Sequence, residues 1–266
     1  MLSNFLFPVD SKVSIQSILG QAEFVKSFDP EKVYLLYVTA GNGRRIKKKM
    51  DSIEAKMRET GLPVERQIRS GHVPSQIVAA ANVTRSIICF VKKWKNPLRK
   101  ALAGSVLSDV VRMSEEPVLI YNKSLFAPDG ESLHSSIYAT DFRYSDYKCL
   151  QYIKHPAFKA RRLILLHVGQ RAPDPQTEKK RLDNVYNNLD RLAEECGENF
   201  EEIEKREVLG LGVVRKILSH ARKSSVDWLV VGKLDAPGIV SRLTGSTAEA
   251  IYNRASCSVL IIPNTK

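Results

Sequence analysis

The sequence predicts two tandem α/β domains, each a doubly wound parallel sheet of about five strands. Short apolar runs alternate with amphipathic helical patterns along the chain, which is typical of parallel strands covered by helices on both faces. The 266 residues exceed the usual size of one domain, and a hydrophobic fraction of 43% is enough for a sizeable core. The order of the apolar runs also repeats once within the chain.

Three pairs of segments carry this internal repeat. They are "FLFPVDSK" (5–12) with "SIYATDFR" (136–143), "VYLLYV" (33–38) with "LILLHV" (163–168), and residues 102–121 with residues 243–262. Asp10 and Asp141 are 131 residues apart, whereas Gly104 and Gly245 are 141 residues apart. We therefore predict a duplicated domain, with about ten extra residues in the second copy. The copies are residues 1–123 and 134–266, and the linker lies within 122–136, where Pro and Asp-Gly signal turns.

The second copy predicts three helices that alternate with strands. The first helix has an apolar stripe that steps by three and four residues and ends at a capping glycine: Leu182, Val185, Leu189, Leu192, Cys196 and Gly197. A second helix begins with Val213 and Ile217, and "WLVVG" (228–232) follows as a buried strand. The third helix carries Ala248, Ile251, Tyr252 and Ala255, and "SVLII" (258–262) is the last strand.

Positive charge is concentrated in the first copy. The formal net charge is +12, and residues 1–123 hold 20 Lys or Arg against 11 Asp or Glu. The densest patches are "RRIKKK" (44–49) and "KKWKNPLRK" (92–100). We interpret them as a solvated basic face, with contact to phosphates, nucleic acid or an acidic partner as the alternative.

Nothing in the sequence indicates secretion or a membrane span. No apolar run approaches the roughly 18 residues that a spanning helix needs, and the first residues lack a basic segment followed by a cleavage site. The four cysteines (Cys89, Cys149, Cys196 and Cys257) have no paired spacing. We therefore expect a cytoplasmic protein with reduced, mostly buried thiols.

The order of these anchors resembles the universal stress protein family over nearly the whole chain. The anchors are an aspartate after the first strand, "LLHV" as the second strand, a fourth strand that ends in glycine, a Gly-Ser helix start and a last strand of the "PVLI" type. The resemblance implies a strand order of 3-2-1-4-5 in each copy. It also implies that the two copies pack as a pseudo-dimer within one chain, and it leaves open a homodimer of tandem chains.

Many members of this family bind ATP through a glycine, two residues, a second glycine, nine residues, and a third glycine followed by Ser or Thr. Such glycines let the backbone approach phosphates, and the free N–H groups at a helix start favour an anion. In the second copy Gly232, Gly245, Ser246 and Thr247 match this motif, whereas Asp235 occupies the position of the middle glycine. Gly238 could supply the missing flexibility.

The first copy has largely lost the motif. Val91 and Trp94 stand in the positions of the two loop glycines, and only Gly104 and Ser105 remain. We therefore predict that the first copy has no nucleotide site and that the second copy has a partly retained one.

Asp141 and Val168 complete the site that the resemblance implies. Asp141 follows the first strand of the second copy, where the family's aspartate contacts the base or ribose; a helix N-cap is the alternative interpretation. Val168 ends the second strand, and its backbone would bond adenine. Asp10 is the equivalent of Asp141 in the first copy, where we expect a capping role.

No catalytic or metal-binding pattern is visible. The five histidines show no ligand spacing, and there is no nucleophile elbow or identifiable carboxylate pair. Gly210 and Gly212 lack the third glycine of a dinucleotide fingerprint, so we interpret them as a tight strand-to-helix turn. The protein is therefore not expected to be an enzyme, although slow ATP hydrolysis stays open.

Three functions remain in view at this point. The first is a stress-response regulatory module that binds ATP, ADP or AMP in the second copy, with Mg²⁺ accompanying ATP. The second is a nucleotide-free interaction or scaffold protein that meets an unknown protein partner through its pseudo-dimer surface and basic first half. The third is a nucleic-acid binder in which Trp94 stacks on a base, and the absence of a recognised motif disfavours it.

Asp235 generates a testable prediction. Asp235→Gly removes a negative charge from the loop and restores the family's glycine, so ATP should gain affinity. A repulsion on the order of 1 kcal/mol near a protein surface corresponds to a several-fold change. Calorimetric titration should show a larger gain for ATP than for adenosine, which carries no phosphate. Equal gains would instead indicate an effect of backbone shape, and no gain for either ligand would show that the loop does not contact phosphate.

Overall fold

The computed structural model describes residues 2–10, 13–39, 44–91, 100–122, 133–142, 145–156, 158, 160–233 and 247–263. The chain divides into two compact units, Met1–Gly130 and Glu131–Lys266. This division falls inside the segment 122–136 that the sequence predicts as the linker.

The first unit alternates strands and helices. Its described elements are β1 (Asn4–Pro8), α1 (Ile15–Lys26), β2 (Lys32–Thr39), α2 (Arg44–Glu59), β3 (Val64–Ser70), α3 (Val73–Thr84), β4 (Ile87–Val91), α4 (Lys100–Met113) and β5 (Val118–Tyr121). These strands pair in parallel in the order β3-β2-β1-β4-β5.

The second unit repeats this arrangement. Its described elements are β6 (Leu133–Thr140), α5 (Ser145–Ile153), β7 (Ala160–Gly169), α6 (Pro175–Cys196), β8 (Glu202–Leu209), α7 (Val213–Lys223), β9 (Trp228–Lys233), α8 (Thr247–Arg254) and β10 (Ser258–Pro263). The strands are again parallel, in the order β8-β7-β6-β9-β10. Numbered within its own unit, each sheet has the order 3-2-1-4-5, so the predicted fold is confirmed.

The core of each unit consists of continuously apolar strands. β5 and β10 are buried at every position, and residues 163–166 of β7 are buried as one uninterrupted run. Such runs are expected where a parallel sheet is covered on both faces. Trp228 is the first residue of β9, and its ring stacks on Phe158 at a centroid distance of 4.4 Å.

The long helix α6 carries the predicted apolar stripe. Its buried residues are Val185, Leu189, Leu192 and Cys196. Leu182 is only half-buried, so the buried stripe begins one turn later than predicted. Asp174 caps the first turn by accepting two backbone N–H groups. Gly197 is the C-cap as predicted, but with φ −54° it is right-handed and continues into a short 3-10 turn instead of adopting the left-handed cap.

The four cysteines are all buried as free thiols. Burial raises the pKa of Cys196 to about 12 and raises the pKa of Cys89 well above its usual value. Because the thiolate is the reactive form, these two sulfurs are poor nucleophiles and serve as small apolar groups in the core.

Candidate functional site

The reversal of strand order between β6 and β9 brings the predicted site residues of the second unit to one edge of the sheet. Thr140 pairs with His167, and Ala139 pairs with Val231. One residue further along each strand, Asp141 stands level with Val168, and Gly232 stands level with Thr140. Neighbouring strands lie about 4.8 Å apart, so the backbones of Asp141, Val168 and Gly232 lie within roughly 10 Å of one another.

Asp141 lies directly beyond the last residue of β6, and its side chain is exposed. The first helical residue after it is Ser145. An N-cap precedes its helix directly, so Asp141 stands too early in the chain to cap α5. The position therefore favours the ligand-facing interpretation over the capping one.

The turn that carries Asp141 is held by an aromatic pair that the sequence did not reveal. Phe142 has a positive φ of +59°, a conformation that is strained for a bulky residue. Its N–H donates to Thr140 Oγ1 at 2.9 Å, and its ring stacks on His167 at a centroid distance of 4.4 Å. His167 Nδ1 lies 3.1 Å from the Thr140 carbonyl oxygen, to which it must be the donor because a carbonyl only accepts. Three contacts thus fix the backbone on either side of Asp141.

Val168 and Gly169 lie beside a cluster of charged side chains, Glu178, Arg181 and Glu207. The Arg181 guanidinium donates two hydrogen bonds of 2.9 Å to the Glu178 carboxylate and also pairs with Glu207. The bonds from Arg181 lower the pKa of Glu178 to about 2. This cluster ties α6 to the carboxyl ends of β7 and β8, next to the proposed base position.

Gly232 and Thr247 bracket a segment outside the described residues. Gly232 is half-buried near the end of β9, and Thr247 is the exposed first residue of α8. Gly245, Ser246, Asp235 and Gly238 all lie outside the described residues. Glu249 adds a carboxylate to the first turn of α8, which favours the helix dipole but opposes a bound anion.

The equivalent edge of the first unit is closed by its own side chains. Asp10 accepts the Val13 N–H at 2.6 Å, whereas the N-cap of α1 is Ser14. Asp10 therefore closes the turn before the helix, and the predicted capping role belongs to Ser14. Lys49 reaches from α2 and donates to the carbonyl oxygens of Asp10, at 3.0 Å, and of Val13.

The first unit also departs from the predicted helix start. α4 begins at Lys100, so Gly104 and Ser105 lie about one turn inside the helix. The prediction that a helix starts at Gly104 and Ser105 is therefore wrong for the first unit, because α4 begins about one turn earlier. Val91 is the last residue of β4, and Trp94 lies outside the described residues.

The basic segment 44–49 is divided between core and surface. Ile46 is buried in α2, Lys47 and Lys48 are exposed, and Lys49 is half-buried at the closed edge of the first unit. Most of the other patch, 92–100, lies outside the described residues. Within the described part of the chain, no group of three or more His, Cys, Asp or Glu could hold a metal ion. The described helices also include none that is long and apolar enough to cross a membrane.

Gly169 generates a prediction about this edge. A Cβ at this position would lie 3.0 Å from both Arg181 Nη1 and Glu207 Oε1. Gly169→Ala should therefore push these two side-chain ends aside by a few tenths of an ångström, weaken the ion pair and lower the free energy of unfolding by about 0.5–1.5 kcal/mol. Gly197→Ala is the matched control, because no atom lies within 4 Å of its added Cβ. Urea unfolding measures both variants, and equal stabilities would contradict the close packing at Gly169.

Comparison with known proteins connects this architecture to a family. Residues 137–263 match the model of the Universal stress protein family. The chain is similar to a universal stress protein from Archaeoglobus fulgidus, with a TM-score of 0.73 and 18% identity over 99% of this chain and 97% of that one. It is also similar to a functionally unknown protein from Pseudomonas aeruginosa, with a TM-score of 0.69 and 17% identity over 98% and 92% of the two chains.

Identities at this level show a shared fold and nothing finer. A search of curated proteins found no match. The family match covers almost all of the second unit, and the structural likeness extends over both units. The second unit therefore belongs to the universal stress protein family, and the chain is a tandem of two units with that fold.

Proposed function

We propose that the chain is a regulatory module of the stress response whose second unit binds an adenine nucleotide. The observation that carries the proposal is the convergence of Asp141, Val168 and Gly232 at the carboxyl edge of one parallel sheet, beside the point where strand order reverses. Ligands of open parallel sheets bind in the crevice at this point.

The base and ribose would lie at the ends of β6 and β7. The pairing of β7 with β6 ends at His167, whereas its pairing with β8 continues to Gly169. Backbone groups of Val168 on the β6 side thus lie beyond the paired ladder, where they can meet the edge of an adenine. The exposed Asp141 carboxylate would accept hydrogen bonds from the ribose hydroxyl groups. These hydrogen bonds would be strong because the acceptor is charged.

The phosphates would extend from Gly232 towards the start of α8. A glycine at the end of β9 lets an anion approach the backbone, and the N-terminus of a helix attracts negative charge. AMP, ADP or ATP fits this direction. Asp235 and Glu249 oppose bare phosphates, so Mg²⁺ would accompany ATP and offset their charge.

The proposal assigns the nucleotide to the second unit and a structural role to the first. Lys49 supports this difference, because its ammonium group is bonded to the carbonyl oxygens that follow β1. The exposed Lys47 and Lys48 of α2 favour a second candidate function, a nucleotide-free interaction protein that uses these cations. Neither function requires catalysis.

Two measurements test the proposed function. Heat denaturation of the purified full chain, followed by chromatography, should release an adenine nucleotide that copurifies. Titration of the emptied chain with AMP, ADP, ATP and adenosine should then give heats of binding. If no nucleotide is released and none of the four ligands gives a heat of binding, the nucleotide-free interaction function is favoured.

Asp141→Asn should weaken the binding of ATP and adenosine by about tenfold, because a charge-assisted hydrogen bond becomes a neutral one. Asp10→Asn is the matched control, since the two aspartates hold equivalent positions and an amide oxygen can still accept the Val13 N–H. Calorimetry measures both variants against the original chain. Weakening by Asp10→Asn alone would place the ligand in the first unit and contradict the proposal.

A further inference from the structure

The turn between β8 and α7 exposes three aliphatic side chains close to the proposed site. Leu209 is 41% exposed, Leu211 73% and Val213 45%; we call these residues the apolar turn. Gly210 and Gly212 adopt φ values of +129° and +79°, so the predicted strand-to-helix turn is confirmed and its shape depends on glycine. Exposed aliphatic residues that lie next to one another form a candidate contact surface.

The first unit shows that the fold does not require an apolar turn. Thr39 pairs with Ser70 at the end of β3, as Gly169 pairs with Leu209 at the end of β8. Gly71 then has a φ of +125°, close to that of Gly210. The residues on either side of Gly71 are Ser70 and His72, which are polar and exposed. This turn has two residues between its strand and its helix, against three in the second unit, and it carries no exposed leucine.

Position and charge narrow the choice of ligand. Leu209 pairs with Gly169, the residue after Val168, and the Gly210 N–H donates to the Gly169 carbonyl oxygen at 3.0 Å. The apolar turn is thus bonded to the end of the strand on which the proposed base would lie. Side-chain atoms of Lys216 pass within about 3 Å of a Cβ built at Gly210. The apolar turn therefore presents exposed aliphatic side chains beside the position proposed for the base.

We propose that the apolar turn covers the base of the nucleotide, with Leu211 packing against the purine ring. This inference rests on the proposed function and deepens it, because it assigns the recognition of the base to a turn that only the second unit makes apolar. The base has an apolar face, which the aliphatic side chains of the apolar turn can cover. The polar turn of Ser70 and His72 belongs to the unit that has lost the loop glycines.

Leu211→Ser tests the inference in the full chain. Covering about 50 Å² of leucine surface contributes roughly an eightfold gain in affinity. ATP and adenosine should therefore both bind about eightfold more weakly, whereas tripolyphosphate, which has no base, should be unaffected. Leu211→Met, which keeps an apolar side chain, should retain the affinity for both ligands. Val83→Ser is the matched control, because Val83 is 76% exposed on α3 of the first unit.

The outcomes separate this inference from the proposed function. If the original chain binds ATP and Leu211→Ser binds it equally well, the inference is wrong and the proposed function stands. If the original chain binds none of the ligands, both the inference and the proposed function are wrong. Light scattering adds a further outcome: a smaller mass for Leu211→Ser, without a change in affinity, would identify the apolar turn as a contact between copies and overturn the inference.

Discussion

The reversal of strand order within a parallel sheet is the constraint on which the second unit depends. The chain moves outward from β6 in one direction and then returns to add β9 and β10 on the other side, and each crossover between parallel strands is right-handed. The loops that leave β6 and β9 are thereby directed to opposite faces of the sheet. The crevice between these loops is a consequence of topology. Asp141 lies at it because it directly follows β6, and Gly232 lies at it because it is the residue before the last of β9.

The amino ends of the same strands are joined to one another through a single aspartate. At the amino ends, the Asp227 carboxylate accepts the Ser135 N–H at 2.9 Å, and the Asp227 N–H donates to the Ser135 carbonyl oxygen at 3.0 Å. The Ser258 N–H donates to the Asp227 carbonyl oxygen at 3.1 Å. One aspartate thus connects three neighbouring strands and satisfies their terminal groups.

Both units fasten their second helix to their third strand with an arginine between two carboxylates. In the first unit Arg66 of β3 pairs with Asp51 at 2.7 Å and donates to Glu54 at 2.8 Å, both on α2. In the second unit Arg181 and Glu178 lie on α6, and Glu207 lies on β8. The direction of the pairing is reversed while the elements it joins are the same. The requirement is therefore for partnered charge at this junction, not for a particular sequence.

The sequence predicted most of the fold and only part of the site. Strand order and helix positions follow from local periodicity and from the repeat, as the buried stripe of α6 illustrates. The contact between Phe142 and His167 could not be predicted, because it joins residues 25 positions apart in a turn whose backbone is left-handed at a phenylalanine. Pairing of Arg181 with Glu207 across two elements was equally invisible. Propensity describes neighbours along the chain, whereas these contacts depend on which strands are adjacent.

Lys49 makes the difference between the units hard to reverse. Its ammonium group forms hydrogen bonds to two backbone carbonyl oxygens, so it stabilises the segment between β1 and α1. Glycines at 91 and 94 would restore the family's motif at these two positions but would leave this lysine in place. Removing Lys49 first would leave two carbonyl oxygens without their cation, before any gain in binding. In a duplicated domain, a single lysine that donates to two backbone carbonyl oxygens can thus make one copy costly to remodel.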